Sequence, residues 1–178
     1  WGWFRETLTV NMKTVFSKDD PGHYRFFGWM QIGEIIHLGK DPSWYLKEEP
    51  NSLSHPHTIG SWGDNNTLYL ASDKLDTFGL KDYYGFGKFN ASEKTNLSIN
   101  PSVKKSKWIC PKWLNPNHGG CGMTYHKDPK RWDDKTVDIV GRGQEFVAEP
   151  KKINDCKKWL INILKDAYTV DEVESLKN

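Results

Sequence analysis

Along most of the chain, hydrophobic positions alternate with polar ones instead of recurring at helical spacing. Trp1-Gly-Trp-Phe-Arg-Glu-Thr-Leu-Thr-Val10 is aromatic and β-branched and predicts a strand, and Ser17-Lys-Asp-Asp-Pro-Gly22 predicts a turn. A second strand is expected over Arg25–Leu38, with Phe27, Trp29, Ile35 and Leu38 as its bulk and a hairpin partner in the first. Its glycines, Gly28 and Gly33, predict a bulge or a close backbone approach. Residues 41–65 carry Asp-Pro, Glu-Pro and His-Pro steps, which predict a long connection with one short helix near Pro42–Lys47. Asn66–Ala71 is another strand, and Gly85–Phe89 and Thr95–Ile99 alternate more weakly. Residues 100–131 look irregular, and Thr136–Val140 and Glu145–Ala148 predict strands around the Gly141-Arg-Gly143 turn.

After Pro150 the period changes. Ile153, Cys156, Trp159, Leu160, Ile163, Leu164 and Ala167 form one stripe of an amphipathic helix, with Lys157, Lys158, Asn162 and Lys165 outside it. Thr169 and Glu172 make a capping box for a short last helix. Strands first and a helix last predict an α+β fold. The expectation is one domain over residues 1–178, a curved mixed or antiparallel sheet packed by the C-terminal helix.

Composition sharpens this picture. Of the 178 residues 24 are aromatic, nine of them Trp, which excludes ordinary disorder. No apolar run approaches the ~20 residues of a membrane span, so no membrane partner is expected. The chain opens on Trp1, not Met, which reads as a fragment or a processed form. The three cysteines, Cys110, Cys121 and Cys156, fit neither a disulfide framework nor a metal knuckle, and reduced thiols in the cytoplasm are the default. Net charge is +2 overall, but residues 101–142 hold nine basic and four acidic side chains. Such a segment suits an anionic ligand, or is simply a solvated lysine-rich face.

Three polar clusters carry the candidate chemistry. His55-Pro-His57 with Asp64-Asn65-Asn66 suits metal ligation or acid–base work, or a turn in which these side chains cap backbone groups. Thr124-Tyr-His-Lys-Asp128 with Arg131-Trp132 puts a phenol, an imidazole, a guanidinium and an indole together, as phosphate binding and base stacking require. A surface loop explains the same residues. Gly141-Arg-Gly-Gln-Glu-Phe146 places a bidentate phosphate binder, an amide and a carboxylate within four residues, or forms a plain hairpin turn. A zinc site from His55, His57, Cys110, His118, Cys121 and His126 matches no known ligand spacing, so neither a metal nor a cofactor is expected. No P-loop, dinucleotide fingerprint, GxSxG or HExxH is present.

Several of these segments occur in a fixed order: Phe27-Gly-Trp-Met-Gln-Ile-Gly-Glu34, His55-Pro-His57, Asn65-Asn-Thr-Leu-Tyr69, Trp108-x-x-Pro-x-Trp113, Thr124-Tyr-His126, Arg131-Trp132 and Arg142-Gly-Gln-Glu-Phe-Val147. In that order they resemble the third nucleotide-modification-associated domain family, over about Trp1 to Leu164. Cys110 and Leu114 depart from the Leu and Phe expected there, and Gly119-Gly-Cys-Gly122 resembles an insertion. The resemblance implies bacterial or phage proteins linked to DNA base modification, with further residues before the Trp-Phe-Arg segment, and no established reaction. The expected ligand is a nucleotide or short single-stranded or modified DNA. Arg142 and the Lys and Arg of residues 104–131 would meet phosphate, with Arg142 weighing more than Lys104. Trp108, Trp113 or Trp132 would stack, Gln144, Asn65 and His57 would read polar edges, and His55, Asn66 and Tyr125 are further ligand-binding candidates. If the protein is an enzyme, His57 or His126 is its acid–base group and Glu145 the carboxylate partner. If it is neither reader nor enzyme, it is an interaction module whose aromatics are core. The three clusters are expected to meet in one pocket.

Overall fold

The computed structural model describes residues 1–99, 106–140 and 146–165. The fold is mixed α and β, built mostly from small antiparallel strand pairs, with one helix near the C-terminus. The chain divides into two compact units, Trp1–Trp29 with Gly87–Asn178, and Met30–Phe86.

In the first unit, strand β1 (Gly2–Phe4) leads into a hairpin of β2 (Thr7–Val10) and β3 (Lys13–Phe16), and β4 (His23–Arg25) returns to β1. The predicted hairpin therefore forms as β1 against β4, with Trp3 opposite Tyr24. The predicted first strand is divided at Arg5-Glu6, between β1 and β2, and the β2–β3 hairpin turns just beyond it at Asn11 and Met12, both with positive φ (50° and 61°). The long strand expected over Arg25–Leu38 is also divided: β4 ends at Arg25, β5 covers Gly28–Met30 and β6 covers Ile32–His37. Of its four bulky residues Leu38 is buried and Trp29 half-buried, while Phe27 and Ile35 are exposed.

The second unit is built on β6 and β7 (Thr67–Ala71), paired antiparallel with Ile36 opposite Leu68. Its register shifts between Ile32 and Glu34, at the glycine where a bulge was expected, and a Cβ on Gly33 would lie 2.9 Å from the Ser72 backbone. Leu38, Leu68 and Tyr45 form its core, the last from α1 (Ser43–Glu48). Short 3-10 turns at Pro50–Ser54 and Pro56–Thr58 follow, each started by a proline. Strands β8 (Lys74–Leu75) and β9 (Leu80–Tyr84) pair after Gly79 turns the chain, and β10 (Phe86–Lys88) carries it back to the first unit.

Thr95–Ile99 is not a strand. It makes only isolated bridges, Arg25 to Asn96 and Ser98 to Trp108, because the Asn96 side chain takes the Ser98 N–H at 3.0 Å in a local turn. Strands β11 (Lys107–Ile109) and β12 (Thr136–Asp138) pair antiparallel around the core indole of Trp108. Phe146–Ala148 is not a strand either.

Helix α2 spans Ile153–Leu164 and buries Cys156, Leu160, Ile163 and Leu164. Trp159 is half-buried, its ring 5.7 Å from Phe26 and 5.5 Å from Trp113. Ile153, expected in the core, opens the helix at 38% exposed, one turn short of the packed stripe. Lys158 and Asn162 are exposed as expected, and Lys157 is half-buried. The Thr169–Glu172 capping box lies outside the described residues.

Candidate functional site

The second unit presents one constructed polar site. The proline at 56 starts a 3-10 turn whose N-cap is His55, and the His55 Nδ1 accepts the His57 N–H at 3.3 Å. The His55 ring proton therefore sits on Nε2. Asn66, only 6% exposed, holds His57 twice. Its Nδ2 donates to the His57 carbonyl at 3.0 Å, and its Oδ1 lies 2.7 Å from the His57 Nδ1. Because the amide nitrogen must face the carbonyl, Oδ1 faces the ring, and Nδ1 must carry the proton that it accepts. In the neutral imidazole of this tautomer the lone pair is on Nε2.

The His57 ring lies flat on Trp62, with centroids 4.5 Å apart and planes 9° from parallel. Trp62 is pinned from both ends: its Nε1 donates to the Ile59 carbonyl at 2.8 Å and its backbone N–H to Lys40 at 3.1 Å. One indole face is on His57, and 39% of the residue is exposed. Lys40 and Asp64 pair at 3.3 Å, both largely in solvent. Asn65 is exposed, and its carbonyl accepts the Thr67 hydroxyl. Sequence reasoning missed Trp62 as a site residue. Its spacing from His57 carries no motif, and only the chain reversal at Gly60 (φ 83°) brings the two rings together.

The second cluster, in the first unit, has a different character. His126 is 4% exposed with both ring nitrogens engaged. Nδ1 donates to the Thr124 carbonyl at 3.0 Å, and Nε2 accepts the Val140 N–H at 2.9 Å. Its own carbonyl takes the Trp132 Nε1 proton at 2.8 Å. Burial first holds this imidazole below its ordinary range; the Thr124 bond opposes that shift and the Arg131 charge adds to it. This histidine has no lone pair to offer a substrate and works as a fastener. The three indoles expected to stack, Trp108, Trp113 and Trp132, are 1%, 7% and 4% exposed. Trp108 packs edge-on against Trp1 and Trp113 against Trp159, so in this structure these rings serve the core.

Tyr125 is the exception, 71% exposed. Arg131 is half-buried and donates to the Asp138 carbonyl at 3.3 Å. The positive charge of this stretch is partly answered: Lys107 is bonded to Asp133, and Lys112 lies 3.7 Å from Asp134. Lys127, Lys130 and Lys135 are exposed. Lys104, Arg142, Gln144 and Glu145 lie outside the described residues.

The three thiols are free, and burial raises the pKa of each, to about 12 for Cys110 and Cys156. Among the described residues no three His, Cys, Asp or Glu side chains are grouped to hold a metal ion, and no helix is long and apolar enough to cross a membrane.

The second unit thus carries an imidazole held by Asn66 and stacked on a partly exposed indole, and the first unit an exposed phenol among lysines. The chain belongs to the nucleotide modification associated domain 3 family, whose model matches residues 1–149. The match includes both polar clusters and stops before α2. Neither a curated protein nor a solved structure matches the chain.

Proposed function

We propose that this protein recognises a nucleotide or a modified DNA base through His57, Asn66 and Trp62. The observation that carries the reading is the His57–Trp62 stack with the imidazole proton fixed on Nδ1. A base laid on the exposed part of that indole would gain ~1–3 kcal/mol from stacking. The His57 Nε2 lone pair beside it would accept a hydrogen bond from an exocyclic amine, and Lys40 would meet a phosphate. The family's association with nucleotide modification supports the same ligand class.

A second reading rests on the same lone pair. An imidazole whose Nδ1–H is held by an amide oxygen is arranged to use Nε2 as a general base, which would make the protein an enzyme on a nucleotide.

The test is a calorimetric titration of the chain with ordinary and base-modified nucleoside monophosphates, repeated with Trp62→Ala, Asn66→Ala and His57→Gln. Trp62→Ala should weaken binding by roughly 5- to 150-fold, the loss of one stack. Asn66→Ala should weaken it as well by freeing the imidazole. Nucleotides that bind Trp62→Ala as tightly as the wild type would end this assignment. Consumption of the nucleotide by the wild type and not by His57→Gln would select the enzyme reading.

A further inference from the structure

We infer that Tyr125 is a stacking platform for single-stranded nucleic acid, a second site independent of the His57–Trp62 reading. The backbone at Tyr125 is left-handed, φ 65°, a region that side chains other than glycine and asparagine seldom occupy. Nothing in the composition forced a bulky residue there, since Gly122 takes the same sign of φ, 71°, three positions earlier. Such a conformation persists only where the surroundings over-determine it, and here they do. Met123 is fully buried on one side and His126 is 4% exposed on the other. The His126 N–H donates to the Met123 carbonyl at 3.0 Å and its ring holds Thr124 and Val140, while Thr124 and Val147 exchange two bonds at 3.0 Å. Met123 and His126 are drawn inward, while the phenol between them is held out in water.

The charge around the ring selects the ligand. Between Thr124 and Arg131 the chain has three basic residues and one acidic. The acid, Asp128, is occupied in accepting the Lys130 N–H at 2.9 Å as an N-cap, and Lys127 and Lys130 stand exposed. An exposed aromatic ring with exposed lysines two and five residues on suits a base attached to a phosphodiester backbone. It suits a single strand, because a base inside a duplex has no free face to offer.

The experiment is fluorescence anisotropy of the full chain with a labelled oligothymidylate of about 12 nucleotides, the length range of one single-strand site, and with the corresponding duplex, at several salt concentrations. The single strand should bind more tightly than the duplex. Tyr125→Ala should weaken that binding roughly 5- to 150-fold, while Tyr125→Trp keeps it. Lys127→Ala should lower the slope of log affinity against log salt by about 0.7. Tyr125→Gly removes the ring while accepting the left-handed backbone; it should fold at least as well as the wild type and bind as poorly as Tyr125→Ala. Wild-type affinity in either ring-deleted variant would overturn the inference, as would duplex preference or no single-strand binding at low salt. Mononucleotide binding that depends on Trp62 would survive any of these three results, so the two sites fail separately.

Discussion

Replacing His126 by leucine tests whether this residue fastens the Thr124–Val140 region or performs chemistry. Leucine fills much of the same volume but offers no polar atom, so the Thr124 carbonyl and the Val140 N–H both lose a partner. A fully buried unpaired group costs ~1–3 kcal/mol, and both of these are partly buried, so the pair should cost about 2–4 kcal/mol. At 178 residues each kcal/mol moves the midpoint by roughly 2–4 °C, which predicts a fall in Tm of about 4–16 °C. Thermal melts followed by circular dichroism measure it, with a pH series as a second arm. Burial lowers the pKa of His126 in the folded chain from the ordinary 6.5. The unfolded chain therefore binds the extra proton first as pH falls. His126 should contribute its full stability above about pH 6.5 and lose it progressively below, until the folded imidazole itself protonates. In His126→Leu that part of the slope should be absent. A leucine variant melting within about 1 °C of the wild type, with an unchanged pH slope, would refute the fastener.

Met12 is 98% exposed at φ 61°, and Met12→Gly should relieve that strain and raise stability by about 1 kcal/mol, read from urea unfolding. A loss of stability would show that the Met12 side chain makes contacts beyond those of the turn. Among the cysteines, Cys121 should react first with a thiol reagent at pH 8, because it is the least buried, while Cys110 and Cys156 should need unfolding. Mass mapping of the labelled peptides decides it, and early labelling of Cys110 would contradict the packing around it.

The elements whose own composition dictates them were legible in the chain. The 3.6-residue stripe of Cys156, Leu160, Ile163 and Leu164 forms the buried face of α2, and Pro42 opens the short helix over Ser43–Glu48. Legibility fails where a side chain competes with the sheet. Asn96 caps its own turn and breaks Thr95–Ile99, and the first predicted strand is interrupted at Arg5-Glu6, where the Asp20 carboxylate takes the Glu6 N–H. For the site, His57 and Asn66 stand out because histidine and asparagine are the residues that fix a tautomer and bridge a turn. Trp62 does not, since a tryptophan in the sequence reads as core until its exposure is known. Trp108, Trp113 and Trp132 show the converse: ring chemistry alone does not separate a binding face from a packed one.

The bond from the Phe89 N–H to the Phe27 carbonyl, 2.9 Å long and internal to the first unit, has a kinetic consequence. It joins positions about 60 residues apart, and closing a flexible loop of that length costs about 4 kcal/mol beyond the constant for any loop. The intervening chain is not flexible once Met30–Phe86 has formed, because Gln31 and Gly85 are then already bonded. The loop left to close shrinks to a few residues on either side. The unit rich in local pairings should therefore assemble first and lower the entropic barrier for the aromatic unit that encloses it in sequence. Substitutions such as Leu68→Ala, far along the chain from Trp108, would slow the burial of that indole during refolding.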